Sequence, residues 1–124
     1  MSDLVSRAKE FAKLVHRNQK YGTLPYTSHL EDVYSTLKNQ LGVSDETILA
    51  SAWLHDSIED TETTYETLLL QFGKEVADLV LTVTNEKGKN RKEILEKTAP
   101  KIKNNEAALV IKLADRIEIG RAHV

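Results

Sequence analysis

The sequence predicts an all-α domain, and three observations carry that prediction. Apolar residues recur at i, i+3 and i+4 in one segment after another. Gly, Pro and short polar stretches separate these segments at helix-length intervals. Only "ALVIKLA" reads equally well as a strand, and nothing else in the chain offers it a strand partner.

The first helix is expected over residues 3–20, where Leu4, Val5, Ala8, Phe11, Ala12 and Val15 form one apolar face and Ser2 or Asp3 supplies an N-cap. "YGTLPY" interrupts it through Gly22 and Pro25. "HLEDVYSTLKNQLG" predicts a second helix, opened by His29 and closed at Gly42, a favoured C-cap residue. Ser44 stands ready to cap a third, "DETILASAWLHD", rich in the helix formers Ala and Leu. "TYETLLLQFG" and "KEVADLVLTVT" predict two more helices with Gly73 between them. "NEKGKN" reads as a loop and "RKEILEKTA" as a charged helix stopped near Pro100. "NEAALVIKLADRI" is apolar nearly all round, which predicts a central, buried last helix.

Composition narrows the function classes. A chain of 124 residues holds one domain with one core. With no cysteine, disulfides and thiolate metal sites are excluded, which fits a reducing compartment. The net charge of −2 leaves no electrostatic footprint for a nucleic-acid polymer. No apolar run is long enough to span a bilayer and no signal segment opens the chain, so a cytoplasmic location is expected.

The chemistry concentrates in "AWLHDSIEDTET", where an apolar run ends in His55-Asp56 and then Glu59-Asp60. Ionisable groups beside a buried helix cost free energy unless something pairs with them. His29, opening the second helix, and Asp115, ending the last, are the other candidates for one shared site. Imidazole nitrogen and carboxylate oxygen suit a borderline or hard divalent ion such as manganese, iron or zinc. Adjacent His55 and Asp56 can both reach one ion only if local geometry lets neighbouring side chains converge. Taken singly, each residue has a structural reading, since His-Asp pairs occur by chance and His29 alone can cap a helix. Taken together, they point to a metal-centred helical enzyme. Glu59, one turn beyond His55, is placed to orient or deprotonate a water, and Asp60 to position Glu59 or that water.

"HRNQKYGTLPYTSHL", "WLHDSIEDTETTYETLLLQFG", "VTNEKGKNRKE" and "VIKLADR" resemble, in order and spacing, the HD-superfamily hydrolase domain of the Rel/Spo proteins, above all its small stand-alone versions. "HDSIED" resembles the family's H-D-x-x-E-D signature and "KLADR" its last metal motif. The resemblance implies an HD-domain helical bundle around one divalent ion, manganese first, that removes the 3′-pyrophosphate from guanosine tetra- and pentaphosphate alarmones. It implies His29, His55, Asp56 and Asp115 as metal ligands and Glu59 and Asp60 as the catalytic acidic pair. Two alternatives stand beside it: an HD nucleotidase or phosphodiesterase with another nucleotide substrate, and a non-catalytic HD remnant that binds nucleotide or a partner.

Residues 87–103 carry seven Lys or Arg against two Glu. That is commonly a solvated face, yet Arg91 and Lys92 follow a Gly-containing loop where they can meet substrate phosphates. Where many Rel/Spo hydrolases place an Arg that packs on guanine, this chain has Lys20-Tyr21, so Tyr21 becomes the candidate base-stacking residue. His16 and Trp53 read as structural. Finally, the resemblance covers residues 8–117, stops after Ile117 and lacks the family's following Asn, with Ile119 in that place. "EIGRAHV" back-translates into a stretch that looks like a sequencing adapter. The hydrolase domain is therefore expected over 1–117, incomplete at its C-terminus, with 118–124 a non-native tail and His123 excluded as a ligand.

Overall fold

A computed structural model describes residues 3–84 and 105–122 of the chain. It is built from helices α1 (Asp3–Val15), α2 (Tyr26–Ser35), α3 (Glu46–Leu54), α4 (Ser57–Asp60), α5 (Tyr65–Phe72), α6 (Lys74–Val83) and α7 (Glu106–Ala122). The expected loop "NEKGKN" and charged helix "RKEILEKTA" fall on 85–104, outside the described residues.

Helix α3 is the spine. Its residues Leu49, Ala50, Ser51, Ala52, Trp53 and Leu54 are all buried, and α1, α2, α6 and α7 pack around it. Trp53 belongs to this core, 2% exposed. Asp45, not Ser44, caps the helix: its carboxylate accepts from the backbone of Thr47 and Ile48 at 2.8 and 3.2 Å. A carboxylate at that position also suits the positive end of the helix dipole.

The first helix stops at Val15 rather than at Lys20. His16 turns the chain out, and the Arg17 guanidinium donates 2.7 Å to the Leu14 carbonyl. Lys20–Tyr21 (β1) then pairs antiparallel with Leu24–Pro25 (β2), Lys20 opposite Pro25 and Tyr21 opposite Leu24. Gly22 supplies the positive φ of +65° that this tight reversal needs. The hairpin delivers the chain to α2, which begins at Tyr26, so His29 lies one turn inside the helix rather than at its opening.

At its far end α2 runs into a π-helical turn over Thr36–Gln40, where the Leu41 N–H reaches the Thr36 carbonyl at 3.0 Å. Gly42, at φ +67°, closes the segment as its composition suggests. Thr64 caps α5 through its side chain, and Gly73 at φ +92° separates α5 from α6.

Helix α7 is a helix and not a strand, but it is not apolar all round. Ala108, Ile111 and Ala114 are buried against the core, whereas Leu109 and Leu113 are 45% and 50% exposed. It runs unbroken to Ala122, so Asp115 sits in its middle and not at its end. No helix among the described residues is long and apolar enough to cross a membrane.

Candidate metal centre

Neighbouring residues on an α-helix point about 100° apart, so His55 and Asp56 would diverge if α3 continued through them. The chain leaves the helix at Leu54 instead. His55 keeps near-helical angles, while Asp56 takes φ −99° and ψ 0° before α4 starts. That sparsely allowed bridge region is where tight turns and active-site residues are found. The break re-aims Asp56, bringing its Oδ2 to 3.2 Å from His55 Nε2.

Two other helices complete the cluster. From the first turns of α2, His29 places Nε2 2.8 Å from Asp115 Oδ1 on α7. The same Asp115 oxygen lies 3.4 Å from His55 Nε2. One donor atom from each of His29, His55, Asp56 and Asp115 lies within 4.8 Å of all the others. Donors on opposite sides of an ion, each about 2.1–2.3 Å away, would be about 4.2–4.6 Å apart. The cluster is already close to that size, so these four residues form a site that can hold a divalent metal ion.

The protonation pattern of His55 fits such a group. Its Nδ1 stands 2.6 Å from the Ala52 carbonyl, which only accepts, so Nδ1 carries the proton and donates it there. Nε2 then presents its lone pair to two carboxylate oxygens and has no hydrogen-bond partner among the described residues. A buried lone pair facing anions is unfavourable unless a cation lies between them. In the metal-free protein that cation is a proton. Burial opposes the charged imidazolium, but Asp56 and Asp115 outweigh it and push the pKa up to about 9. Burial likewise works against the Asp115 carboxylate, yet His29 and His55 hold it well below the usual carboxylate range.

A surrounding layer fixes these ligating groups. The Tyr26 hydroxyl donates to Asp56 Oδ2 at 2.5 Å. Burial and the Asp56 charge raise the Tyr26 pKa far above its ordinary value, so the phenol stays a donor. Tyr21 stacks on His29 with ring centroids 4.6 Å apart and planes 9° from parallel. One face of Tyr21 is thus already occupied by a protein ring.

The cluster opens onto a cavity of about 260 Å³ lined also by Tyr21, Glu59, Val83, Lys112 and Ile119. Glu59 is exposed on this wall. Asp60 is not part of it. Its carboxylate accepts from Gln19 Nε2 at 3.2 Å and borders a separate groove beside Thr61 and Thr63. Arg91, Lys92 and His123 lie outside the described residues. His16 is buried.

Tyr26 and Lys112 line the site, and Gln19 holds Asp60 in the adjoining groove, without having been singled out from the sequence. Tyr26 precedes His29 by three residues, and Lys112 precedes Asp115 by three. Residues at that spacing share a helix face, and this is the signal that finds both. Gln19 carries no comparable signal, because its partner is distant in sequence.

The HD domain family matches residues 8–123. The chain is 34% identical over 120 residues to the guanosine-3′,5′-bis(diphosphate) 3′-pyrophosphohydrolase MESH1 of Xenopus tropicalis, covering 92% of this chain and 66% of that protein. It is 39% identical over 123 residues to the guanosine-3′,5′-bis(diphosphate) 3′-pyrophosphohydrolase of Aquifex aeolicus (strain VF5), covering 92% of this chain but 17% of that one. The chain thus spans just under two thirds of the first relative and about a sixth of the second. A solved structure of a metazoan ortholog of SpoT that hydrolyzes ppGpp superposes with a TM-score of 0.88 at 30% identity, over 98% of this chain and 70% of that one. With the four-residue cluster at the helix break and matches that cover nearly its whole length, the chain belongs to the HD-domain family, in its Rel/Spo-type branch.

Proposed function

We propose that this chain is a metal-dependent phosphohydrolase that removes the 3′-pyrophosphate from guanosine tetra- and pentaphosphate alarmones, (p)ppGpp, in the cytoplasm. The observation that carries this reading is the convergence of His29, His55, Asp56 and Asp115, three of which, His29, Asp56 and Asp115, line a cavity that also presents Glu59. The 3′-pyrophosphohydrolase activity for which the MESH1 and Aquifex relatives are named supports the substrate.

In this reading the four residues hold one divalent ion, with manganese the first candidate for a two-nitrogen, two-carboxylate donor set. When bound, such an ion lowers the pKa of a water and polarises a phosphoryl oxygen. The protein does the rest. The Ala52 carbonyl keeps the His55 lone pair aimed inward, and Tyr26 keeps Asp56 turned towards it. Glu59 accepts the proton of the attacking water, and Lys112 brings positive charge to the wall where phosphates would lie. Asp60 supports Glu59. Tyr21 offers its remaining surface to the purine, and Arg91 and Lys92 contact phosphates.

The direct test is incubation of the protein with ppGpp and manganese, following released pyrophosphate. Pyrophosphate release that a chelator abolishes is the expected result. No release from metal-loaded protein would overturn the reading.

A further inference from the structure

His16 is 2% exposed, yet it follows the end of α1 beside solvent-facing Arg17 and Asn18. Its Nδ1 lies 2.7 Å from Gln19 Oε1, and Gln19 Nε2 lies 3.2 Å from Asp60 Oδ2, forty-one residues away. The direction of this chain is fixed by its far end. An ionised carboxylate only accepts, so the Gln19 amide turns its N–H towards Asp60 and its oxygen towards His16. His16 must then carry its proton on Nδ1. Turning the amide over would set its oxygen against the Asp60 carboxylate.

The backbone holds the linker as firmly. The Gln19 N–H donates to the His16 carbonyl at 2.9 Å, and the Gln19 carbonyl accepts from the Tyr26 N–H at 3.0 Å. The His16 ring stacks on Tyr26 with centroids 5.0 Å apart. His16 Nε2 meets no hydrogen-bond partner among the described residues. A buried imidazole with one nitrogen unsatisfied is a costly way to fill space, and an apolar ring would serve a purely packing role better.

We propose that His16 and Gln19 are positioning residues for the reaction: the Nδ1–H of His16 sets the Gln19 amide, and that amide fixes the Asp60 carboxylate in the groove next to the metal-site cavity. The proposal rests on the hydrolase reading for the role of Asp60. His16 and Gln19 touch neither substrate nor metal ligand in this scheme, and their side-chain relay ends on Asp60.

Gln19→Glu tests this while sparing the turn, because a carboxylate still accepts from His16 but repels Asp60. We expect kcat for ppGpp to fall by about tenfold, the scale of one lost hydrogen bond to a charged group. KM and bound manganese should not change. In the Asp60→Asn background the same substitution should cost nothing further, since the group it acts through has lost its charge. An equal loss in both backgrounds, or a loss that follows metal content, would overturn the proposal. Nitrogen NMR of the His16 ring gives a readout independent of turnover. An Nδ1–H tautomer is expected, and an Nε2–H tautomer would break the first link. Absence of ppGpp turnover in the wild-type chain would instead remove the hydrolase reading, with the tautomer still deciding whether the His16–Gln19 pair exists.

Discussion

Two pairs of carboxylates lie within a few residues or a few ångströms of each other, and their surroundings are opposite. Asp56 and Asp115 are held among rings, with side chains 17% and 22% exposed, and each is tied to a neighbour by a hydrogen bond. Glu59 and Asp60 are exposed, on the short helix that follows the break. A buried carboxylate stays charged only when opposing groups offset its desolvation, and here two histidines and a phenol do so. The exposed pair keeps its charge in contact with solvent, and Asp60 also accepts from Gln19 Nε2. The first pair is arranged before any ligand arrives. The second is left accessible to whatever enters the cavity or its neighbouring groove.

Removing one of the half-buried carboxylates should do the most damage. Asp115→Asn should strip the ion and lower turnover by more than the roughly 10⁴-fold upper end of general-base help. Elemental analysis beside a pyrophosphate assay checks both, and metal retained at full occupancy would take Asp115 out of the ligand set. Glu59→Gln should cost about 10²–10⁴-fold in kcat and leave metal content intact. Equal loss of metal and activity would make Glu59 a ligand and erase the distinction between the two pairs.

Tyr26→Phe probes the layer between them. Loss of a group that orients a metal ligand typically costs about 10–100-fold in metal affinity, measurable by competition with a chelator. Unchanged affinity would mean that the helix break alone aims Asp56. The smallest effect is graded with pH. His55 has a folded pKa of about 9 against an ordinary 6.5, so in metal-free protein its charge stabilises the fold below about pH 6.5 and the contribution fades as pH rises through about 9. Metal binding displaces that proton and runs the opposite way. Apparent affinity should rise about tenfold per pH unit across this window and then level off. Melting curves with chelator and with manganese, taken over a pH series, should show the two trends crossing. A flat metal affinity would mean that no proton competes at Nε2.

Much of this was legible in the sequence, and the failures have definite causes. Helical periodicity located every described helix except α4, the short one beyond the His-Asp break. The residue types at 29, 55, 56 and 115 named the cluster that the fold assembles. Periodicity misjudged α7, because composition alone does not say how many neighbours a helix has: Leu109 and Leu113 are apolar and exposed all the same. It also ran α1 past Val15, since polar residues such as Arg17 and Gln19 extend a helical pattern without revealing that their partners lie elsewhere. The separation of Glu59 from Asp60 was invisible for the same reason. Two adjacent acids look alike until a distant amide takes hold of one.

The burial of α3 has a consequence for how this protein tolerates mutation. His55 follows six consecutive buried residues, three of them as small as Ala50, Ser51 and Ala52. A larger side chain there has no empty space to enter and must push the helix itself. The two adjacent site residues ride on the end of that helix, so an error in packing becomes an error in donor position. Leu70 on α5, 86% exposed, accepts change with no such penalty. Tolerance is therefore uneven: exposed positions such as Leu70 take substitutions that the buried run of α3 passes on to His55 and Asp56.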